Sequence, residues 1–434
     1  MYPNLYYAFQ DLFGVEWTKL RFINSFGFFV ALAFLAAAYV LTQELRRRER
    51  LGLMHATDDR RTVGRPATAS ELILNFILGF LLGYKIVGLF ISNTAATADP
   101  PAYIFSMQGH LPAGILLGIV FAAIKYYEKN KLKLPKPEER VVRIWPHDRV
   151  GDMVILAAIF GFLGAKIFHN LENWTEFWKS PIEALLSFSG LTFYGGLICA
   201  TAAIVYYARK HKISVRHLAD SIAPALMLAY AVGRIGCQVA GDGDWGILNS
   251  AYISTPEGKV MPSDSTRFQQ TLAQHATVYM EQSGYTSENQ IQHKRVEAPR
   301  WLPDWMVAFN FPHNVIGEGV NIKNCEGQYC KQLPLPVFPT AFYETIACLL
   351  LTGFLFLLRN KLMKIPGTLF AVYLFVNGME RFFIEKIRVN TQYDIMGFRP
   401  TQAELISSLL MLTGIALYVY LSRKKPVAAR ISNI

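Results

Sequence analysis

The sequence predicts an all-α polytopic membrane protein. It has about nine transmembrane helices, an outside N-terminus, an inside C-terminus and a small extracytoplasmic insertion. Three observations carry this reading. Of 434 residues, 52% are hydrophobic and only 17% charged, whereas soluble domains are about 25% charged. The apolar residues form runs long enough for a bilayer, which needs roughly 20 residues per helix. Lys and Arg gather in alternate loops.

In chain order, the runs are 24–43, 71–91, 111–127, 152–169, 191–208, 218–238, 338–358, 367–386 and 402–421. The third is short, and Lys125 and Lys129 at its end can snorkel. The sixth is the weakest, because Asp220, Ser221 and Pro224 interrupt it. If the chain crosses alternately, one set of loops and the C-terminal tail hold 26 Lys and Arg. The opposite set holds 13, seven of them in one long segment that the positive-inside rule discounts. The net charge of +11 is therefore a topology signal and an attraction to anionic lipid, not a nucleic-acid footprint. The first 23 residues contain Asp11, Glu16, Lys19 and Arg21 and do not read as a cleavable signal peptide.

The chain divides into five parts. Residues 1–70 hold an N-terminal segment, the first helix and a basic loop; 71–150 hold a helix pair and a second basic loop. Residues 151–246 form core helices, 247–337 an extracytoplasmic insertion, and 338–434 the C-terminal core helices. The stretch 241–337 is polar and rich in proline (Pro256, Pro262, Pro299, Pro303, Pro334, Pro336). Cys325 and Cys330 fall on this oxidising side, where a local disulfide is expected and two free thiols are the alternative. An internal repeat is also legible. "GFLLGYKI" (79–86) resembles "GFLGAKI" (161–167), and "AAIKYYEKNK" (122–131) resembles "AAIVYYARKHK" (202–212), placing Lys85 and Lys166 at matching positions.

Charge at bilayer depth costs about 2.5–3.5 kcal/mol per residue on insertion scales and marks function or ion pairing. Lys85, Lys166, Arg234, Glu344, Glu380, Arg381 and Glu385 lie in or at the ends of spans. Asn377, Arg381, Glu385 and Arg388 recur on one face of the eighth helix. Arg234, Glu344 and Tyr194-Gly195-Gly196 are expected at the same outer depth. The run "GCQVAGDGDWG" (236–246) can bring backbone N–H groups to an anion, and Arg forks clamp phosphate. Together these read as a site for a phospholipid headgroup. The bland alternatives are helix-to-helix ion pairs and an ordinary surface turn. The acid spacing does not fit a calcium loop, so neither metal nor cofactor is expected.

Four ordered blocks, "SGLTFYGGLI" (189–198), "VGRIGCQVAGDGDWG" (232–246), "FPTAFYE" (338–344) and "MERFFIEKIR" (379–388), resemble bacterial prolipoprotein diacylglyceryl transferase. Gly164-Ala165-Lys166 and Thr401-Gln402 are similar to further short motifs of that family. The likeness spans the first helix and roughly 150–420, excluding most of 247–335. It implies seven family helices, N-out and C-in, which agrees with nine minus a duplicated pair. It also implies a multi-pass enzyme of the bacterial cytoplasmic (inner) membrane. Such an enzyme transfers diacylglycerol from phosphatidylglycerol to the lipobox cysteine of prolipoproteins.

By position, the resemblance implies that Arg234 binds lipid phosphate and Arg381 stabilises the departing phosphate. Gly195, Gly196, Lys166 and Gly246 shape the site, and Glu344 and Glu385 hold the arginines. The family's His-Gly-Gly is here Tyr194-Gly195-Gly196, and a phenol is a poor base at neutral pH. Cys237 and Ala240 replace two Asn, Asp242 or Asp244 replaces a Glu, and Phe26 replaces a Tyr. The resemblance leaves the base role to Asp242 or Asp244, the alternative being that both are solvated turn residues, and Cys237 is either a reactive thiol or a packing residue. Two other function classes remain. A non-catalytic phospholipid- or lipoprotein-binding membrane protein would keep the cleft without the base. A transporter would need broken helices lining a midplane site.

Overall fold

The computed structural model describes residues 1–91, 103, 107–181, 184, 192–283, 287–390, 393 and 400–423. Its principal helices are α1 (Leu5–Phe13), α2 (Ser25–Arg50), α3 (Ala69–Ile91) and α4 (Leu111–Lys131). Then come α5 (Val150–Glu172), α6 (Phe193–Lys210), α7 (Val215–Ala240) and α8 (Ser265–Ser283). The last are α9 (Thr340–Leu362), α10 (Thr368–Glu385) and α11 (Gln402–Ser422). Among the described residues, seven helices are long and apolar enough to cross a membrane: α2, α3, α4, α5, α7, α9 and α11. Their lipid-facing character is plain in side chains such as Leu350, Leu409 and Leu412, which stay mostly exposed. Two further helices, α6 and α10, occupy the expected spans 191–208 and 367–386. Each is only 18 residues long, and charge dilutes both: Arg209 and Lys210 in α6; Glu380, Arg381 and Glu385 in α10.

The chain folds as two compact units, Glu49–Val215 and Met1–Arg48 with Arg216–Ile434. In the first, the two halves of the repeat each form a tightly crossed helix pair. A Cβ at Gly83 of α3 would lie 2.2 Å from the Ala113 carbonyl oxygen of α4, and one at Gly195 of α6 would lie 2.6 Å from that of Gly164 in α5. The repeated glycines therefore let backbones touch, which is how helices associate where lipid removes the hydrophobic drive. The basic loops, which composition marks only as charged, pair as an antiparallel ribbon of Thr57–Val63 with Glu138–Ile144. The purely α expectation is corrected there and in the insertion.

In the second unit, the polar interruption of the sixth span has a structural cause. Helix α7 runs unbroken through Pro224. Asp220 is fully buried and accepts the backbone N–H groups of Gly367 at 2.8 Å and Phe370 at 2.9 Å, so it caps the N-terminus of α10. The buried Arg48 guanidinium lies 3.7 Å from the same carboxylate. Thr401 and Glu404 form a capping box that starts α11.

The insertion has its own apolar core, including Phe268, Leu272, Ile291, Phe311, Leu333 and Leu335. Around it sit α8 and three short strand pairs: Leu248–Asn249 with His293–Lys294, Tyr252–Ser254 with Val260–Pro262, and Val320–Asn321 with Lys331–Gln332. Cys325 and Cys330 are joined by a disulfide.

Candidate active site

The site is assembled from three chain segments that the sequence separates widely. Helix α7 ends at Ala240, and Gly241 (φ 67°) and Gly243 (φ 98°) turn the chain in left-handed conformations that side-chain-bearing residues rarely adopt. The turn returns Asp244 to Arg234. The next residues are stitched to the other two segments by backbone bonds. Gly246 N–H donates to Phe338 O at 3.1 Å, Ile247 N–H to Ile387 O at 2.9 Å, and Phe338 N–H to Ile247 O at 3.1 Å. A Cβ on Gly246 would sit 2.4 Å from the Phe338 carbonyl oxygen. The glycine is required by this three-way seam.

Glu344 is the hub. Its side chain is fully buried, with Arg234 Nε 2.8 Å and Arg381 Nη1 3.1 Å from its oxygens. Tyr230 Oη donates to it at 2.9 Å, and Arg388 Nη1 lies 3.7 Å away. Arg381 also donates to Glu385 at 2.8 Å, and Asn390 Nδ2 donates to Glu385 at 2.6 Å. Asp244 pairs with both Arg234 and Arg388, while Thr340 Oγ1 donates to its backbone carbonyl at 2.9 Å. Three guanidiniums thus face three carboxylates, and the cluster is neutral as it stands. Exposure within it is uneven: Glu344 and Glu385 show no side-chain surface, whereas Arg381 retains 23%. Asp244, at 30%, is the most exposed member, so the surface of the cluster is shared by one carboxylate and the Arg381 guanidinium. Arg388 Nε and Nη1 are buried without a hydrogen-bond acceptor among the described residues, so the site has unspent donors for an anion.

The two loop aspartates differ. Burial alone would raise the Asp244 carboxyl, but Arg234 and Arg388 outweigh it and hold it below the ordinary carboxylate value. Burial raises Asp242, an effect that the neighbouring Cys237 thiol and Arg234 partly oppose. Cys237 also lies 3.5 Å from Arg234 Nη1. Donor atoms of Cys237, Asp242 and Asp244 fall within 4.8 Å of one another, but two guanidiniums already occupy Asp244. Beside this loop is a cavity of about 140 Å³, lined by Trp245, Gly246, Leu248, Tyr279 and Val337 among others.

Tyr194, Gly195, Gly196 and Lys166 belong to the unit of α3–α6. Gly195 and Gly196 are buried at the α5–α6 crossing, where a Cβ would meet Phe168 at 2.3 Å and the Gly161 carbonyl at 2.7 Å. Their observed task is close helix packing. Lys166 is buried on α5, and Tyr194 lies in the first turn of α6. Residues 189–191 of the same motif lie outside the described residues.

Sequence reasoning placed Arg388 on the stripe of the eighth helix but left it out of the site. Helix α10 stops at Glu385, and the turn beyond it, closed by Arg388 N–H to Glu385 O at 3.2 Å, delivers Arg388 to Asp244. Tyr230 was missed entirely; its position one helical turn before Arg234 is the signal that would have found it. Glu380 is buried, and both its carboxylate oxygens lack a hydrogen-bond donor among the described residues.

Apolar helices long enough to cross a membrane, together with a buried cluster of paired guanidiniums and carboxylates, define a multi-pass membrane protein. The family model for prolipoprotein diacylglyceryl transferase matches residues 111–420, more than two thirds of the chain. The chain belongs to that family. The match includes every residue of the cluster and begins at α4, so it takes in one helix more than the motif blocks indicate and leaves out α2. Similar proteins include the phosphatidylglycerol–prolipoprotein diacylglyceryl transferase of Shouchella clausii, 25% identical over 307 residues, 70% of this chain and 83% of the relative. Another is phosphatidylglycerol–prolipoprotein diacylglyceryl transferase 2 of Clostridium perfringens, 24% identical over 303 residues, 70% and 86% of the two chains. The enzyme of that name from Clostridium novyi is 23% identical over 306 residues, 70% of this chain and 88% of its own.

Proposed function

We propose that this protein transfers the diacylglyceryl group of phosphatidylglycerol to the lipobox cysteine thiol of prolipoproteins. The sulfur bonds to the glyceryl carbon, the carbon–oxygen bond to phosphate breaks, and glycerol phosphate leaves. Family membership over 111–420 supports the reaction. The single observation that carries the site is the convergence of Arg234, Arg381 and Arg388 on Glu344. Arg234 and Arg388 bind the lipid phosphate. Arg381, the most exposed of the three, stabilises the charge that builds on the departing phosphate; aiming fixed donors at developing charge is the largest catalytic term in many enzymes. Glu344 and Glu385 position these arginines. Gly246 holds the seam that brings them together, and Cys237 and Asp242 serve the thiol.

The protein spans the bacterial cytoplasmic membrane nine times, with α6 and α10 as the two short spans, the N-terminus outside and the C-terminus inside. The cluster then lies at the outer leaflet, where phosphatidylglycerol and the exported precursor both arrive. The test is incubation of the purified protein with labelled phosphatidylglycerol and a lipobox peptide. A thioether-linked product is expected. Lipid retained without product would instead favour a binding protein that kept the phosphate site and lost its base.

A further inference from the structure

The transferase reading leaves one chemical task unassigned. The acceptor thiol, ordinarily ionising near 8.5, must lose its proton before its sulfur attacks. In the resemblance Tyr194 takes the place of the family's histidine, and a phenol is a poor base at neutral pH. Glu344 and Glu385 are spent on arginines. So is Asp244, which takes a guanidinium on each carboxylate oxygen. Asp242 is different. It makes no ion pair among the described residues, its Oδ1 is buried without a hydrogen-bond donor, and its carboxylate lies within 4.8 Å of the Cys237 thiol. The left-handed Gly241 and Gly243 on either side fix its place in the loop.

We propose that Asp242 is the general base that takes the proton from the acceptor cysteine, with Cys237 marking the thiol position beside Arg234. This assignment rests on the transferase reading. In the step, the S–H proton passes to the Asp242 carboxylate, and the thiolate displaces the phosphate oxygen from the glyceryl carbon. The electron pair of the broken bond stays on glycerol phosphate, and the proton then leaves Asp242 to that phosphate monoester or to water. The Asp242 carboxyl is faced by Arg234 and Cys237 from α7 and by Asp244 on its own loop. Asn314 and Ile316, which pack against Gly241 and Gly243, carry no charge, whereas Met1, which also packs against Gly241, bears the N-terminal ammonium. Burial raises the Asp242 carboxyl above its ordinary value, the direction that strengthens a carboxylate as a base.

The experiment measures transfer from labelled phosphatidylglycerol to a lipobox peptide against pH for the wild type, Asp242→Asn and Asp242→Glu, with lipid retention measured in parallel. Asp242→Asn is expected to lower kcat about 10²- to 10⁴-fold, the usual worth of a positioned base. It should leave the KM for lipid and lipid retention within about threefold. Its remaining rate should climb with pH through about 8.5 as the thiol ionises unaided, and Asp242→Glu should recover most of the rate. An Asp242→Asn protein with the wild-type rate and pH profile overturns the base role alone. Loss of lipid retention in that variant overturns it in favour of a structural role. A wild type that retains lipid and makes no thioether overturns the transferase reading and the base role with it.

Discussion

Replacing Arg234 with lysine separates what its charge does from what its shape does. The guanidinium serves Asp244 and Cys237 through Nη1 and Glu344 through Nε at 2.8 Å. A lysine ammonium is one point on a flexible stem and cannot span these directions together. The positive charge survives in Arg234→Lys, so neither Asp244 nor Glu344 is left as an uncompensated buried anion. The expected loss is therefore that of one charge-assisted hydrogen bond, about 1.5–3 kcal/mol, or roughly 10- to 150-fold in kcat/KM. Arg234→Ala goes further. It strands two carboxylates, a cost of about 3–5 kcal/mol when one partner of a buried pair is removed, so it should lower thermal stability as well as transfer. The assay is initial-rate transfer from labelled phosphatidylglycerol, with thermal unfolding in the same lipid–detergent mixture. If Arg234→Lys keeps transfer within about threefold of wild type, the fork is not what the site uses, and the phosphate role assigned to Arg234 fails.

Gly246→Ala should break the seam, because its Cβ would fall 2.4 Å from the Phe338 carbonyl oxygen; the cost is about 1–3 kcal/mol or more, read as faster proteolysis of the 241–337 region and lost transfer. Cys325→Ser with Cys330→Ser opens a short disulfide loop and should cost about 2 kcal/mol by loop-closure entropy; mass analysis of the unreduced wild type should show one bond. The two loop aspartates should respond to pH in opposite directions. Asp244 is held below its unfolded value of 3.8, so its stabilisation is present above that value and is lost as pH falls through the lower folded value. Asp242 is raised, so its contribution is fully present below 3.8 and is lost as pH rises through its folded value. At neutral pH, Asp244→Asn should thus lower the melting temperature and Asp242→Asn should raise it. The same sign for both would contradict the assignment.

Helix positions were legible because burial in lipid demands long apolar runs and nothing else satisfies the backbone there. Each predicted span has a helix within a few residues of it, including the seventh, predicted at 338–358 and found as α9. What the apolar pattern cannot carry is the reason for an exception. Asp220 reads as a flaw in a span, yet it caps a helix that starts about 150 residues later. The charge pattern of 57–63 and 138–144 reads as two solvated loops, yet the segments pair strand to strand across two helices.

The site shows the same division at closer range. Arg234, Arg381, Glu344 and Glu385 were legible because charge inside a span is costly and so conspicuous. Arg388 was not assigned to the site, because helical periodicity says nothing of a turn beyond the last residue of α10. Asp242 and Asp244 sit two residues apart in a glycine-rich turn, where sequence offers no periodicity to say which points where. Only the fold separates them. Asp244 is drawn into the arginine cluster, and Asp242 is left beside a thiol with an oxygen to spare.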